Sequence, residues 1–102
     1  MAFAKTDDFN EETVQMAEFA SALSHPARIA LLKYLVDHPG SRCTELVNAM
    51  PLSQPSCSRH LGELRKANLV VATQHGNEVH YELKTDRIQR FCDAFHTTLN
   101  PD

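Results

Sequence analysis

Gln54, Ser56, Ser58 and Arg59 place carboxamide, hydroxyl and guanidinium groups within two turns of chain. Such groups hydrogen-bond base edges and phosphates. They lie in the stretch 52–70, LSQPSCSRHLGELRKANLV, and its spacing predicts a helix. Ser53 suits the N-cap, because its hydroxyl can accept from a first-turn amide. Pro55 suits the first turn, where amides have no partner inside the helix. Cys57, Leu61 and Leu64 recur at i, i+4 and i+7, so they share one face and point into a core. Pro55, Ser56, Arg59, Gly62, Glu63 and Lys66 fall on the other side, with Gln54, Ser58, His60 and Arg65 on the flanks. The outer face is fit for a DNA groove. Any surface helix also carries a polar outer face, so the surroundings decide.

Those surroundings are helical before the stretch and extended after it. Residues 1–8 lack periodicity and read as a tail; residues 9–100 read as one domain. A first helix is predicted from Asn10, with Phe9 and Val14 at the spacing of a hydrophobic staple. Its stripe is Val14, Ala17, Ala20 and Leu23, widened by Met16 and Phe19. A second helix opens at Ser24-His25-Pro26 and runs to about Asp37. Ile29, Leu32, Leu35 and Val36 face inward there, with Leu31 and Tyr34 alongside. A short third helix covers Cys43 to Ala49. Met50-Pro51-Leu52 then turns into the Ser53 helix, which makes a helix-turn-helix pattern. Val70–Gln74 and Glu78–Leu83 are β-rich runs around His75, Gly76 and Asn77, with Gly76-Asn77 able to take the positive φ values of a tight hairpin. A hairpin in that place is a wing. The last helix begins near Thr85, and Ile88, Phe91, Cys92, Phe95 and Leu99 form its apolar stripe. With Phe19, that stripe reads as the subunit interface of a dimer. The fold class is therefore mainly α with a small β-hairpin, a winged helix-turn-helix dimerised through its first and last helices.

The 102 residues suffice for one modest core. With 42% hydrophobic and 23% charged residues, the balance is that of a globular protein. No apolar run approaches the ~20 residues of a membrane span, and no signal-peptide pattern opens the chain. The expected location is cytoplasmic, with no membrane partner. The net charge of −3 opposes nucleic-acid affinity. It is unevenly spread, however. Residues 41–84 carry Arg42, Arg59, Arg65, Lys66 and Lys84 against four glutamates, while both flanking segments are acidic.

With this order of elements, the chain resembles the ArsR/SmtB family of bacterial winged-helix repressors. The residues that carry the resemblance are ALSHPARIALLKYL at 22–35, CTELVNAM at 43–50, LSQPSCSRHLGELRKANLV at 52–70 and HYEL at 80–83. The resemblance implies a homodimer that binds double-stranded operator DNA of twofold symmetry as a transcriptional repressor and is released by an inducer, whose identity the residues leave open. It implies a base-reading face of Gln54, Ser56, Ser58 and Arg59, with His60 beside it. Arg59 is the leading base reader. Arg42, Ser53 and Lys66 are phosphate candidates, though each also fits a solvated surface. The wing tip, His75-Gly76-Asn77, reaches toward the minor groove but lacks an arginine. Pro51 departs from the family's glycine in the turn.

The family's inducer signatures are absent. Soft-metal sites need converging thiolates, and Ser41-Arg42-Cys43-Thr44 offers one sulfur. Ile88 and Leu99 stand where the zinc-type ligands would be. Cys92, Asp93 and His96 are the remaining metal candidates, and the expectation is no metal and no other cofactor. The odd cysteine count, Cys43, Cys57 and Cys92, argues against a disulfide framework. A dithiol of Cys43 and Cys92 stays open. No phosphate loop, nucleophile elbow or HExxH motif supports an enzyme. The alternative is a winged-helix module that dimerises or docks protein without reading DNA.

Overall fold

The computed structural model describes residues 8–100; of the expected tail, only Asp8 lies within them. Five helices and three strands follow in order: α1 (Glu11–Ala22), α2 (Pro26–Asp37), β1 (Ser41–Arg42), α3 (Cys43–Ala49), α4 (Gln54–Lys66), β2 (Val70–His75), β3 (Glu78–Leu83) and α5 (Thr85–Leu99). The Asn10 side chain accepts from the Thr13 amide at 2.8 Å and so caps α1. Pro26 starts α2 behind His25, whose side chain makes no capping bond.

The core lies where α4 meets α2 and α3. Leu31, Leu35, Leu46, Cys57, Leu61, Leu64 and Leu69 are almost wholly shielded from solvent. The underside of α4 is thus the one its spacing predicts. Its end is a Schellman motif. The Leu69 amide donates to Leu64 O and the Asn68 amide to Arg65 O, both at 2.9 Å, and Asn68 takes φ +65°. Leu64 and Leu69 are both buried, the apolar contact that accompanies this cap. Asn68→Ala therefore lowers unfolding free energy by up to about 1 kcal/mol, because the short polar side chain of asparagine offsets part of the left-handed penalty and a methyl group does not. Asn68→Gly matches or slightly exceeds wild type in the same urea titration.

Several faces differ from expectation. On α1 the buried residues are Met16, Phe19 and Ala22, while Ala17 and Ala20 are exposed. Burying large side chains removes more apolar area than burying alanines, so the helix turns its larger residues inward. On α2 the buried pair is Leu31 and Leu35; Ile29 is 40% and Val36 64% exposed. The run IALLKYLV is apolar almost all round, so its spacing could not select a face.

The last helix packs on the first within the protomer. Phe19 and Phe91, expected at a subunit interface, are buried inside the protomer. Their rings stack at 4.7 Å, and Phe95 lies 6.0 Å from Phe19. The first and last helices cover each other's aromatics. Cys92 and Leu99 remain exposed, and Ile88 and Phe95 are half-buried.

The wing is three-stranded rather than a bare hairpin, in the order β1-β3-β2, all antiparallel. The two residues of β1 are too short to show any alternation in the sequence. β2 runs on through His75, leaving a two-residue turn in which Gly76 alone has positive φ, +64°.

Candidate nucleic-acid interface

Along α4 the underside anchors the helix and the opposite side is free. The Ser53 hydroxyl accepts from the Ser56 amide at 3.3 Å, which fixes where the helix begins. Gln54, Ser58 and Arg59 are exposed, and Ser56 is half-buried. Among the described residues the Arg59 guanidinium donates only a long 3.4 Å bond to Ser56 Oγ, so its planar fork is available to another acceptor. Lys66 lies at the far end, paired with Glu63 at 3.2 Å. Both groups are on the surface, where such a pair contributes little and exchanges readily.

His60 is held differently from its neighbours. Its Nδ1 accepts from Arg28 Nε at 3.1 Å, which requires a neutral ring. The same guanidinium donates to Ala22 O at 3.2 Å and so ties α1, α2 and α4 together. The His25 ring lies 5.5 Å from that of His60. Partial burial first, then the charges of Arg28, His25 and Arg59, hold His60 below the ordinary histidine value. The sequence places His25 only at the opening of α2 and gives Arg28 no role. The only signal is their i, i+3 spacing at the start of a helix, and the partner on α4 lies 32 positions further along.

Arg42 is less free than a phosphate contact requires. Its guanidinium pairs with Glu78 at 3.0 Å and Glu45 at 3.5 Å. Glu45 also accepts from the Arg42 amide at 2.8 Å, which caps α3. Both carboxyls sit below the usual range, Glu45 chiefly through that amide and Glu78 chiefly through the His80 ring. Glu78 opposes His75 across the ladder, Gln74 and Val79 form the next pair, and Thr73 opposes His80 one pair further on, on the same face as His75 and Glu78. The wing's outer surface therefore mixes histidines with glutamates. His75, Gly76 and Asn77 are exposed at its tip.

Among the described residues, no three or more His, Cys, Asp or Glu side chains converge as a metal site. Cys92 is exposed, Asp93 accepts from Gln89 Nε2 at 2.9 Å, and His96 lies 3.3 Å from the Asn100 amide nitrogen. The sulfur beside Cys43 is that of Cys57. Burial and that neighbour push the Cys57 thiol up to about 12. Only the thiolate is reactive. A thiol reagent at neutral pH therefore labels exposed Cys92 first and half-buried Cys43 more slowly. Cys57 labels only as the protein unfolds, its rate following denaturant in a mass-spectrometric time course. Labelling of Cys57 as fast as Cys92 in the folded protein contradicts this packing.

Comparison with known proteins agrees with this geometry. The helix-turn-helix domain family matches residues 23–72. An HTH-type transcriptional regulator of Mycobacterium tuberculosis is 39% identical over 67 residues, 66% of this chain. The match spans 59% of that relative's length. An HTH-type regulator of Methanocaldococcus jannaschii is 32% identical over 80 residues, covering 78% of this chain and 89% of that protein. A solved structure, an ArsR-like transcriptional regulator from Rhodococcus, superposes with a TM-score of 0.77 at 21% identity, over 85% of this chain and 81% of the other. At that identity the likeness speaks for the fold alone. Among the described residues, no helix is long and apolar enough to cross a membrane.

Proposed function

The chain belongs to the ArsR/SmtB family of helix-turn-helix transcriptional regulators, and from that premise we propose that a homodimer binds a twofold operator through the outer face of α4 and represses transcription there. The family is one of regulators, not enzymes. The observation that carries the reading is the division of α4. Cys57, Leu61 and Leu64 are sealed in the core while Gln54, Ser58 and Arg59 stand in solvent. A helix so anchored presents rigid polar groups to a major groove about 12 Å wide.

Arg59 reads guanine in this account, and Gln54, Ser56 and Ser58 contact neighbouring bases or phosphates. Ser53 and Lys66 meet the backbone, and His75, Gly76 and Asn77 approach the minor groove. Arg42 contributes only by exchanging its carboxylates for a phosphate. The dimer forms over the outer sides of α1 and α5. Leu99 is 71% exposed there, Cys92 lies beside it on the apolar stripe, and Ile88 and Phe95 are half-covered. Phe19 and Phe91 support that surface from beneath. Residues 9–100 act as one domain, in the cytoplasm where the operator is, and an inducer ends repression.

A fluorescence-anisotropy titration tests the reading. The probes are a duplex that the protein itself recovers from a random-sequence pool and a scrambled duplex of equal composition. The proposal expects preference for the recovered duplex and affinity that falls steeply with salt. Equal affinity for both, with the dimer intact, favours a protein-docking module instead.

A further inference from the structure

A helix about 10–12 Å across fills the major groove, so its flanks lie against the phosphates on either side. His60 stands on one flank of α4, beside Arg59 and in contact with Arg28 and His25. We propose that His25, Arg28 and His60 form a seat for a backbone phosphate of the operator, and that His60 takes up a proton as the phosphate enters. This inference rests on the operator-binding reading above and deepens it.

The geometry supplies the reason. In the free protein the lone pair on His60 Nδ1 is occupied by the Arg28 Nε–H at 3.1 Å. The Arg28 guanidinium and the His25 ring from α2 and its cap, and Arg59 from its own helix, all oppose a charge on the ring. A neutral imidazole is the form such a place selects. The hollow around Arg28 is also lined by Glu18 of α1 and by Glu63 and Lys66 of α4. Glu63 is engaged by Lys66 at 3.2 Å. The Glu18 carboxylate opposes an anion in that hollow, but the charges that act on His60 itself are those of Arg28, His25 and Arg59, so the potential at the ring is positive and suited to an anion. A phosphate oxygen placed between Arg28 and His60 reverses the balance for the ring. It accepts from the guanidinium and from a protonated Nδ1, and its charge offsets the cations that opposed protonation. The proton comes from solvent, and no covalent bond changes.

Binding and protonation are then linked, and each must strengthen the other. Titration calorimetry of the dimer with the recovered duplex, in buffers of differing ionisation enthalpy at about pH 6.5, reads the protons taken up. The expected uptake approaches about one per protomer. Affinity tightens by up to about tenfold per pH unit per protomer as pH falls through the window between the free and bound values of His60. His60→Gln keeps an acceptor for Arg28 but cannot titrate, so it binds with that share of the proton uptake gone. NMR titration of the wild-type His60 ring, with and without the duplex, gives the same answer without a variant. The ring titrates higher in the complex. Inorganic phosphate at matched ionic strength moves it far less, because it lacks the duplex to hold it there.

Preferential duplex binding with an unmoved His60 overturns the seat and leaves the operator reading standing. An equal shift with inorganic phosphate makes it a small-anion site and overturns the assignment to DNA. Failure of the duplex preference itself removes the operator reading, and the seat with it.

Discussion

Arg59→Ala cuts most of the preference for the recovered duplex and weakens its binding by about 5- to 150-fold per half-site, the range that a guanidinium fork on guanine contributes. The residue is exposed, and among the described residues its side chain is held only by the long bond to Ser56 Oγ. Truncation therefore leaves no buried group unpaired. The melting temperature and the dimer should stay at wild-type values, within the roughly ±0.5 kcal/mol of an ordinary surface change. Arg59→Lys keeps the charge but loses the fork, so it retains salt-dependent affinity and still loses most of the preference. A scrambled duplex should bind both variants nearly as it binds wild type. Binding of the recovered duplex by Arg59→Ala at wild-type strength would assign the reading to other residues.

Leu64→Ala acts at the opposite face, and through stability alone. Its side chain is wholly buried and belongs to the apolar contact that closes α4. Deleting it leaves a cavity where α4 meets its cap, at a cost of about 2–5 kcal/mol. A domain of this size has about 5–15 kcal/mol in all, and each kcal/mol lowers the melting temperature by about 4–8 °C. Calorimetric melting should show that fall, with Leu64→Met losing less than about 1.5 kcal/mol. Well below its lowered melting point, the Leu64→Ala protein should still prefer the recovered duplex. Its outer face is untouched, so the loss of DNA binding on warming should follow unfolding.

The underside of α4 was legible in the sequence because polar and apolar residues alternate there without ambiguity. Ser53 and Pro55 mark its start just as clearly. Asn68 as the left-handed stop was not anticipated, since nothing in Ala67-Asn68-Leu69 requires it until Leu69 is seen buried beside Leu64. Spacing does not fix the faces of α1 and α2, because both helices carry apolar residues on more than one side and packing chooses among them. The same ambiguity set Phe19 and Phe91 at a subunit boundary, when a helix at each end of the chain lets them stack on each other. Pairings across long stretches of chain were beyond reach. Arg28 with His60 and Arg42 with Glu78 join positions 32 and 36 apart, and both alter how a site residue is held. Cys43 with Cys57 is of the same kind, a neighbour relation set by α3 crossing α4.

Guanine-N7 methylation interference on the recovered duplex tests most directly whether two copies of α4 lie in successive major grooves. The account predicts two clusters of interfering guanines on one side of the duplex, about one helical turn of 10–10.5 base pairs apart or a multiple of it. In the Arg59→Ala protein, one guanine in each cluster ceases to matter. A single cluster, or interference confined to adenine N3 in the minor groove, would contradict it.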